Sequence, residues 1–239
     1  MQLTIPSLRV QPGLRRTLIV RRYIDLPKFL DFLRTGTLYL RRSDLFSDRF
    51  EGALTSHFRR ALDKAHHAGN LEYNADQFYR TARLGTYVTC WTIGAKDSMA
   101  LWQLYGGTSN AVAVTSTVER LERACEEWEE EVQIRKVEYI DHFKNPRLGI
   151  GEYNDPLRFK HQAYSYEQEL RIMVARNRGN LELNPEGLQL LIPSVNELVR
   201  SVVVAPESPP WFYDLVADLC IKYGLKSPVR KSQLTKLPR

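Results

Sequence analysis

The sequence predicts an α+β fold: one mixed domain over residues 1–225 with central, mostly antiparallel sheets flanked by helices, and a basic tail over residues 226–239. Three observations support this prediction. Strand-like and helix-like segments intermix without the regular cadence of a doubly wound parallel sheet. No internal repeat is visible, and no linker divides the chain. The 239 residues, 43% apolar and 26% charged, suffice for a large hydrophobic core.

The strands are predicted from short apolar or alternating segments that are rich in β-branched and aromatic residues. In chain order they cover 18–23, 38–40, 86–92, 110–117, 132–140, 169–175, 188–193 and 199–206. The segment 110–117 reads as a buried strand, whereas 132–140 alternates like a half-buried one.

The helices are predicted from apolar residues at helical spacing and from their capping residues. Asp25 caps a helix that runs to Arg34 and stops at Gly36. Thr117 is the natural N-cap of a helix over 118–130. The others are a polar helical region up to Arg83 broken at Gly69-Asn70, a helix from Asp97-Ser98 through Tyr105, a short helix near 156–163, and a helix over 211–223 ended by Gly224.

The net charge of +6 comes from the two ends of the chain. Residues 1–24 and 226–239 each carry five basic residues and no acidic one, so the rest holds 24 basic and 28 acidic side chains. Such basic ends attract nucleic acid or acidic lipid, or are simply solvated termini.

Several protein classes are excluded by composition and spacing. Cys90, Cys125 and Cys220 are odd in number and far apart, which argues against a disulfide framework and a structural zinc site. No segment has the apolar length of a signal sequence or a membrane span, so we expect a reduced, cytoplasmic setting. The sequence also lacks a P-loop and a G-x-S-x-G elbow.

The strongest candidate for chemistry is the acidic pair Glu167 and Glu169, at the head of the strand predicted over 169–175. At i and i+2 of a strand, two carboxylates point to the same face. Close like charges separate the two pKa values, which suits one hydrogen-bonding acid and one anion. The alternative is a solvated strand edge, on which Arg171 neutralises the pair.

Two further segments carry candidate residues. In Thr115-Ser116-Thr117, hydroxyls that end a buried strand either cap the next helix or brace a ligand. In Arg21-Arg22-Tyr23, an arginine on a buried strand either holds a phosphate or pairs with a surface acid.

Taken in order, these segments resemble the arginine, Ser-Thr-Ser and Glu-x-Glu layout of the ADP-ribosyltransferase superfamily. The resemblance implies that Arg22 (or Arg21) and Ser116 bind NAD. It also implies that Glu169 stabilises the oxocarbenium-like transition state and that Glu167 addresses the acceptor. In this chain the triplet is Thr-Ser-Thr, which departs from the pattern.

A second resemblance spans nearly the whole chain and involves an uncharacterised bacterial family. Its motifs are Arg22-Tyr23, Phe46-Ser47-Asp48-Arg49-Phe50-Glu51-Gly52, Cys90-Trp91-Thr92, Leu101-Trp102-Gln103-Leu104-Tyr105-Gly106, Glu167-Gln168-Glu169-Leu170-Arg171 and Val203-Val204-Ala205-Pro206. Members of that family look like accessory genes of bacterial defence or mobile elements, and the family supplies no reaction. Trp102 and Tyr105 have the spacing of packed side chains; as base-stacking residues they would join Tyr23 in the NAD site.

Three hypotheses follow. The first is an NAD-dependent ADP-ribosyltransferase that modifies a nucleic acid or a protein. The second is a non-catalytic module that binds nucleic acid or a partner through its basic ends. The third is a metal-dependent nuclease, in which Asp48 and Glu51 join Glu167 and Glu169 to bind Mg²⁺.

Overall fold

The computed structural model describes residues 8–48, 50–176 and 179–235. Arg49, Lys236 and Arg239, which belong to the motifs and the tail considered above, lie outside the described residues. In the described part of the chain no helix combines the length and apolar character needed to cross a membrane.

The strands of the described residues are numbered β1 to β12 in chain order. They are β1 (Leu8–Val10), β2 (Ile19–Asp25), β3 (Thr37–Arg42), β4 (Thr86–Ile93), β5 (Ala111–Thr117), β6 (Glu131–Lys136), β7 (Glu138–Ile140), β8 (Phe159–His161), β9 (Glu169–Ala175), β10 (Gly187–Leu191), β11 (Ser201–Val204) and β12 (Val229–Lys231). The helices are α1 (Leu26–Thr35), α2 (Ser56–His67), α3 (Ala75–Leu84), α4 (Met99–Leu101), α5 (Val118–Cys125), α6 (Val195–Leu198) and α7 (Pro210–Lys222).

The chain folds as two compact units. The first unit comprises Met1–Gln11, Leu40–Thr89 and Glu129–Leu188, and the second comprises Pro12–Tyr39, Cys90–Trp128 and Gln189–Arg239. Strands β3, β4 and β10 contribute residues to both. The α+β class with a large, mostly antiparallel sheet and flanking helices, as predicted, is confirmed.

In the first unit the strand order is β1-β6-β9-β4. β1 is parallel to β6, whereas β6 and β9 are antiparallel with Arg135 opposite Arg171. The separate parallel pair β7–β8 also belongs to this unit. β9 is buried along nearly its whole length, so the side chains at its head are withdrawn from water.

In the second unit the order is β4-β2-β5-β11-β12. β2 and β5 pair antiparallel over seven residues, with Arg21 opposite Thr115 and Val20 opposite Ser116. β11 is antiparallel to β5 and parallel to β12, which places Arg230 beside Val203. β12 thus lies inside the segment predicted as a basic tail.

Four of the predicted helix caps of the second unit are confirmed, whereas Ser98 makes no side-chain capping hydrogen bond at the start of α4. The Asp25 side chain accepts a hydrogen bond from Lys28 N, and Gly36 ends α1 with φ 64°. The Thr117 side chain accepts from Arg120 N at the start of α5. Gly224, with φ 71°, follows the end of α7. These contacts are local, so the sequence is sufficient to predict them.

Three predicted helices differ in the structure. The helix predicted over 118–130 ends at Cys125. The one predicted through Tyr105 is α4 followed by a π-helical turn over Trp102–Gly106. The sequence also predicts that Asp48 caps a helix beginning at Glu51, but the chain turns there, Gly52 takes φ 68° and the next helix begins at Ser56.

The helix predicted near 156–163 is also absent. The chain forms a short 3-10 turn over Asp155–Arg158 and then strand β8. The Asp155 carboxylate accepts hydrogen bonds from the backbone N–H groups of Gly151 (2.7 Å) and Glu152 (2.9 Å) and from Arg158 (3.0 Å). Burial alone would raise the pKa of Asp155, but these donors lower it below its ordinary value. The carboxylate therefore fixes a tight turn where the pattern predicts a helix.

Candidate active site

Glu169 opens strand β9, and Glu167 ends the 3-10 turn Gln162–Glu167 that precedes it. Between them Gln168 has left-handed backbone, with φ 45°. Their spacing predicts positions i and i+2 of one strand. In the structure, however, Glu167 lies in the turn before the strand. Each is only 4% exposed, so they do not form a solvated strand edge either.

Arg171 binds two carboxylates at once. Its Nε donates to Glu169 Oε1 at 3.0 Å and its Nη2 to Glu169 Oε2 at 3.2 Å. The same guanidinium donates to both carboxylate oxygens of Glu51, with Nη2 2.9 Å from Oε2, and to the Leu157 carbonyl at 2.6 Å. Arg171 shares a strand face with Glu169 and neutralises it, as the alternative interpretation predicted.

Lys160, on strand β8, connects the two glutamates. Its Nζ donates to Glu167 Oε2 and lies 3.3 Å from Glu169 Oε2. Burial alone would lower the pKa of this ammonium, but the negative charges of Glu169 and Glu167 raise it above its ordinary value. Lys160 is therefore a fixed cation at neutral pH.

We call Glu51, Lys160, Glu167, Glu169 and Arg171 the ion cluster. Its members are at most 6% exposed and belong to the first unit. Three carboxylates and two cations give it one net negative charge when all are ionised. Burial raises the pKa of Glu51 even though the positive charge of Arg171 opposes this shift. The cluster thus carries an electrostatic cost that the pairing among its members offsets.

Two tyrosines adjoin the ion cluster. The Tyr139 hydroxyl accepts a hydrogen bond from Glu169 N at 2.8 Å, and burial raises the pKa of this phenol. Tyr139 therefore stays protonated and fixes the backbone at the head of β9. The Nζ of Lys160 lies 4.8 Å from the centre of the Tyr164 ring, which is a cation–π distance.

The carboxylate cluster of the nuclease hypothesis is assembled only in part. Glu51 meets Glu169 through Arg171, and Glu167 meets it through Lys160. The guanidinium and the ammonium thus occupy the positions between carboxylates where Mg²⁺ would bind. Within residues 8–48, 50–176 and 179–235, no group of three His, Cys, Asp or Glu side chains is arranged to hold a metal ion.

In the second unit, Arg22 and Ser116 lie on the neighbouring strands β2 and β5. Val20 pairs with Ser116, and Arg22 follows Val20 by two residues, so Arg22 and Ser116 share one face of the sheet. Ser116 is fully buried, and its Oγ donates to the Leu198 carbonyl at 2.6 Å. The Nη2 of Arg22 donates to the Tyr39 carbonyl at 3.3 Å, and burial lowers the pKa of its guanidinium.

The predicted aromatic residues of the second unit are divided between core and surface. The rings of Tyr23 and Trp102 pack edge to face with centroids 4.8 Å apart. The Tyr23 hydroxyl accepts from Ser98 N, and Trp102 Nε1 lies 3.3 Å from an Asp97 oxygen. Trp102 is fully buried, whereas Tyr105 is 48% exposed. Of these aromatic rings, that of Tyr105 is the accessible one.

Sequence reasoning missed Lys160. It stands nine residues before Glu169, across a turn and outside any spacing rule for paired charges. The segment Leu157-Arg158-Phe159-Lys160-His161 is not apolar, so the sequence gives no signal that this lysine is buried.

No family model and no curated protein matches the chain. Among solved structures, the chain is similar to DarT of Thermus sp. 2.9. The complex with carba-NAD+ has 8% identity and a TM-score of 0.40, and the alignment covers 92% of this chain and 97% of that one. The complex with ADP-ribosylated single-stranded DNA has 8% identity and a TM-score of 0.39, with 92% and 96% covered.

Proposed function

We propose that this chain is an ADP-ribosyltransferase-like enzyme that uses NAD and modifies a nucleic acid or a protein. The observation that carries the proposal is the state of Glu169, a buried carboxylate held by Arg171 and Lys160 at the head of β9. A charge fixed in place before reaction needs no reorganisation when a cation develops near it. The order of Arg22, Ser116 and Glu169 along the chain, which resembles that of the ADP-ribosyltransferase superfamily, is the second support for the proposal.

In the proposed reaction, the bond between ribose C1′ and the nicotinamide nitrogen breaks, and its electron pair leaves with nicotinamide. Glu169 stabilises the positive charge that develops on the ribose. An oxygen or nitrogen of the acceptor then bonds to C1′, and its proton passes to Glu167. The net negative charge of the ion cluster favours a cation in the transition state.

We assign the NAD site to Arg22, Ser116, Tyr23, Trp102 and Tyr105, of which Arg22 and Tyr105 are accessible to the cofactor and the buried Ser116, Tyr23 and Trp102 act as supporting residues. A guanidinium matches a pyrophosphate through paired hydrogen bonds, and the exposed ring of Tyr105 suits stacking on a base. The resemblance to the uncharacterised bacterial family supplies a setting for this activity, namely a cytoplasmic accessory enzyme of a defence or toxin system.

The test is transfer of labelled ADP-ribose from NAD to single-stranded DNA, RNA and proteins by wild type and Glu169→Gln. We expect wild type to label one acceptor class and Glu169→Gln to be slower by about 100-fold or more. Glu138→Gln, an exposed glutamate of the same unit, is the matched control and should retain full activity. NAD should also raise the melting temperature of wild type.

Two results would contradict the proposal. One is the absence of both NAD turnover and an NAD-induced thermal shift in folded wild type. The other is equal activity in wild type and Glu169→Gln. Because the Glu169→Gln substitution also weakens pairing within the ion cluster, circular dichroism and urea unfolding should accompany each variant, and Arg22→Lys provides a second variant outside the cluster. Oligonucleotide binding without NAD turnover would favour the non-catalytic alternative.

A further inference from the structure

A small basic pocket lies on one face of the second-unit sheet. Its walls include Arg21, Thr115, Arg200, Arg230 and Lys231, together with Asp97. Its volume is about 90 Å³, well below the roughly 300–1,000 Å³ that encloses a whole cofactor-sized ligand. A pocket of this size suits one compact group, with the remainder of any larger ligand outside.

Arg21 forms the interior of this pocket. It is 5% exposed, and its Nη2 donates to the Ala95 carbonyl at 2.6 Å. Its Nε is buried and has no hydrogen-bond partner. Arg21 faces Thr115 across the β2–β5 ladder, so both side chains project from the same face. A buried guanidinium with an unsatisfied donor is costly unless an acceptor enters the pocket.

The pocket has a surplus of positive charge. No acidic side chain of the described residues forms an ion pair with Arg21, Arg200, Arg230 or Lys231. The one acid in the lining, Asp97, already accepts hydrogen bonds from Ser232 and Trp102. Four cations and one carboxylate leave three net positive charges around one small space.

We propose that this basic pocket binds a phosphate group, with Arg21 at its base and Arg200, Arg230 and Lys231 at its rim. A phosphate brings up to two negative charges and several acceptor oxygens, which match the surplus charge and the unpaired Arg21 Nε better than a single carboxylate does. The exposed rim allows the phosphate to belong either to a nucleotide or to a nucleic-acid strand. This site does not depend on Glu169 or on the proposed transfer reaction.

The experiment compares binding of pyrophosphate, NAD and a short single-stranded oligodeoxynucleotide by calorimetry at low salt. The pocket variant is Arg230→Gln/Lys231→Gln, because both residues are exposed and their loss spares the core. The control Arg15→Gln/Lys222→Gln removes the same charge from exposed sites of the same unit outside the pocket. We expect the pocket variant to bind its phosphate ligand about tenfold more weakly or worse, and the control to bind nearly as wild type does.

The probes separate the two sources of phosphate. Binding of pyrophosphate and NAD assigns the pocket to a nucleotide. Binding of the oligonucleotide alone assigns it to a nucleic-acid strand. Either result supports the proposal if the pocket variant no longer binds that ligand. Arg21→Met should lose binding as well, provided its circular dichroism matches wild type. The proposal is overturned if no probe binds, or if the control loses as much affinity as the pocket variant, since that outcome means general electrostatic attraction.

Discussion

Replacement of Arg171 by methionine tests the ion cluster directly. The substitution keeps much of the apolar volume but removes the guanidinium that pairs with Glu51 and Glu169. Glu51 has no exposed surface and Glu169 is 4% exposed, so neither carboxylate gains water in exchange. Breaking one buried ion pair from one side costs about 3–5 kcal/mol. Because two carboxylates and the Leu157 carbonyl lose a donor here, we expect a loss in the upper part of that range.

The assay is urea unfolding followed by circular dichroism, with the free energy extrapolated to water. Arg176→Met is the matched control, because Arg176 is a 40% exposed residue just after β9 and pairs with Glu130. A partly exposed pair of this kind contributes about 0–1 kcal/mol. The double variant Arg171→Met/Glu51→Leu should recover part of the loss, because it removes one stranded carboxylate together with its partner.

The loss should also depend on pH. Burial raises the pKa of Glu51 above its ordinary value, and without Arg171 the opposing charge disappears. An acid with a raised folded-state pKa destabilises the fold above its unfolded pKa, here near 4.5, and ceases to do so once it is protonated. The deficit of Arg171→Met should therefore be smaller at pH 5 than at pH 7. A loss below about 1 kcal/mol at pH 7, or one equal to that of Arg176→Met, would refute the buried pairing.

Two smaller predictions concern the turns around the cluster. Asp155→Asn should cost about 1–3 kcal/mol at pH 7, because it weakens the bonds from Arg158 and two backbone N–H groups. The folded-state pKa of Asp155 is lowered, so its contribution to stability is present above the unfolded pKa of 3.8 and is lost as pH falls through the lower folded pKa. Urea unfolding should therefore show a smaller stability difference between wild type and Asp155→Asn at pH 3 than at pH 7. Gly52→Ala should lower the free energy of unfolding more than Gly69→Ala does. Both glycines have positive φ, but only a new Cβ at position 52 would lie 2.9 Å from the Leu157 side chain. Equal urea midpoints for the two variants would contradict this prediction.

The parts of the fold that sequence predicts are those stabilised locally. Asp25, Gly36 and Thr117 act on backbone groups within four residues, and all three were identified from the sequence. The three-residue strands β1 and β12 were missed, because strands of that length depend on their partners β6 and β11. No propensity encodes such pairing.

The candidate site divides in the same way. Glu167, Glu169 and Arg171 are neighbours in sequence, so their association was predictable, whereas their geometry was not. Gln168 has left-handed backbone between the turn that contains Glu167 and the strand that contains Glu169, so the two glutamates do not follow one strand. No sequence signal predicts a glutamine at positive φ. Glu51 is 120 positions from Arg171 in the chain, so its pairing depends on tertiary structure alone.

The basic C-terminal segment is where the prediction from sequence and the structure differ most. Charge counting could not separate a solvated tail from a binding surface, because both give five cations and no acid. Arg230 and Lys231 lie on β12, beside β11, and so reach the pocket that contains Arg21. The anionic ion cluster and the cationic pocket share no residue, so substitutions can test each of them without changing the other. Glu169→Gln should slow transfer by about 100-fold or more and leave phosphate binding intact. Arg230→Gln/Lys231→Gln should weaken phosphate binding with Glu169 unchanged. If Glu169→Gln removed phosphate binding from a protein that still unfolds like wild type, the assignment of two independent functions would be wrong.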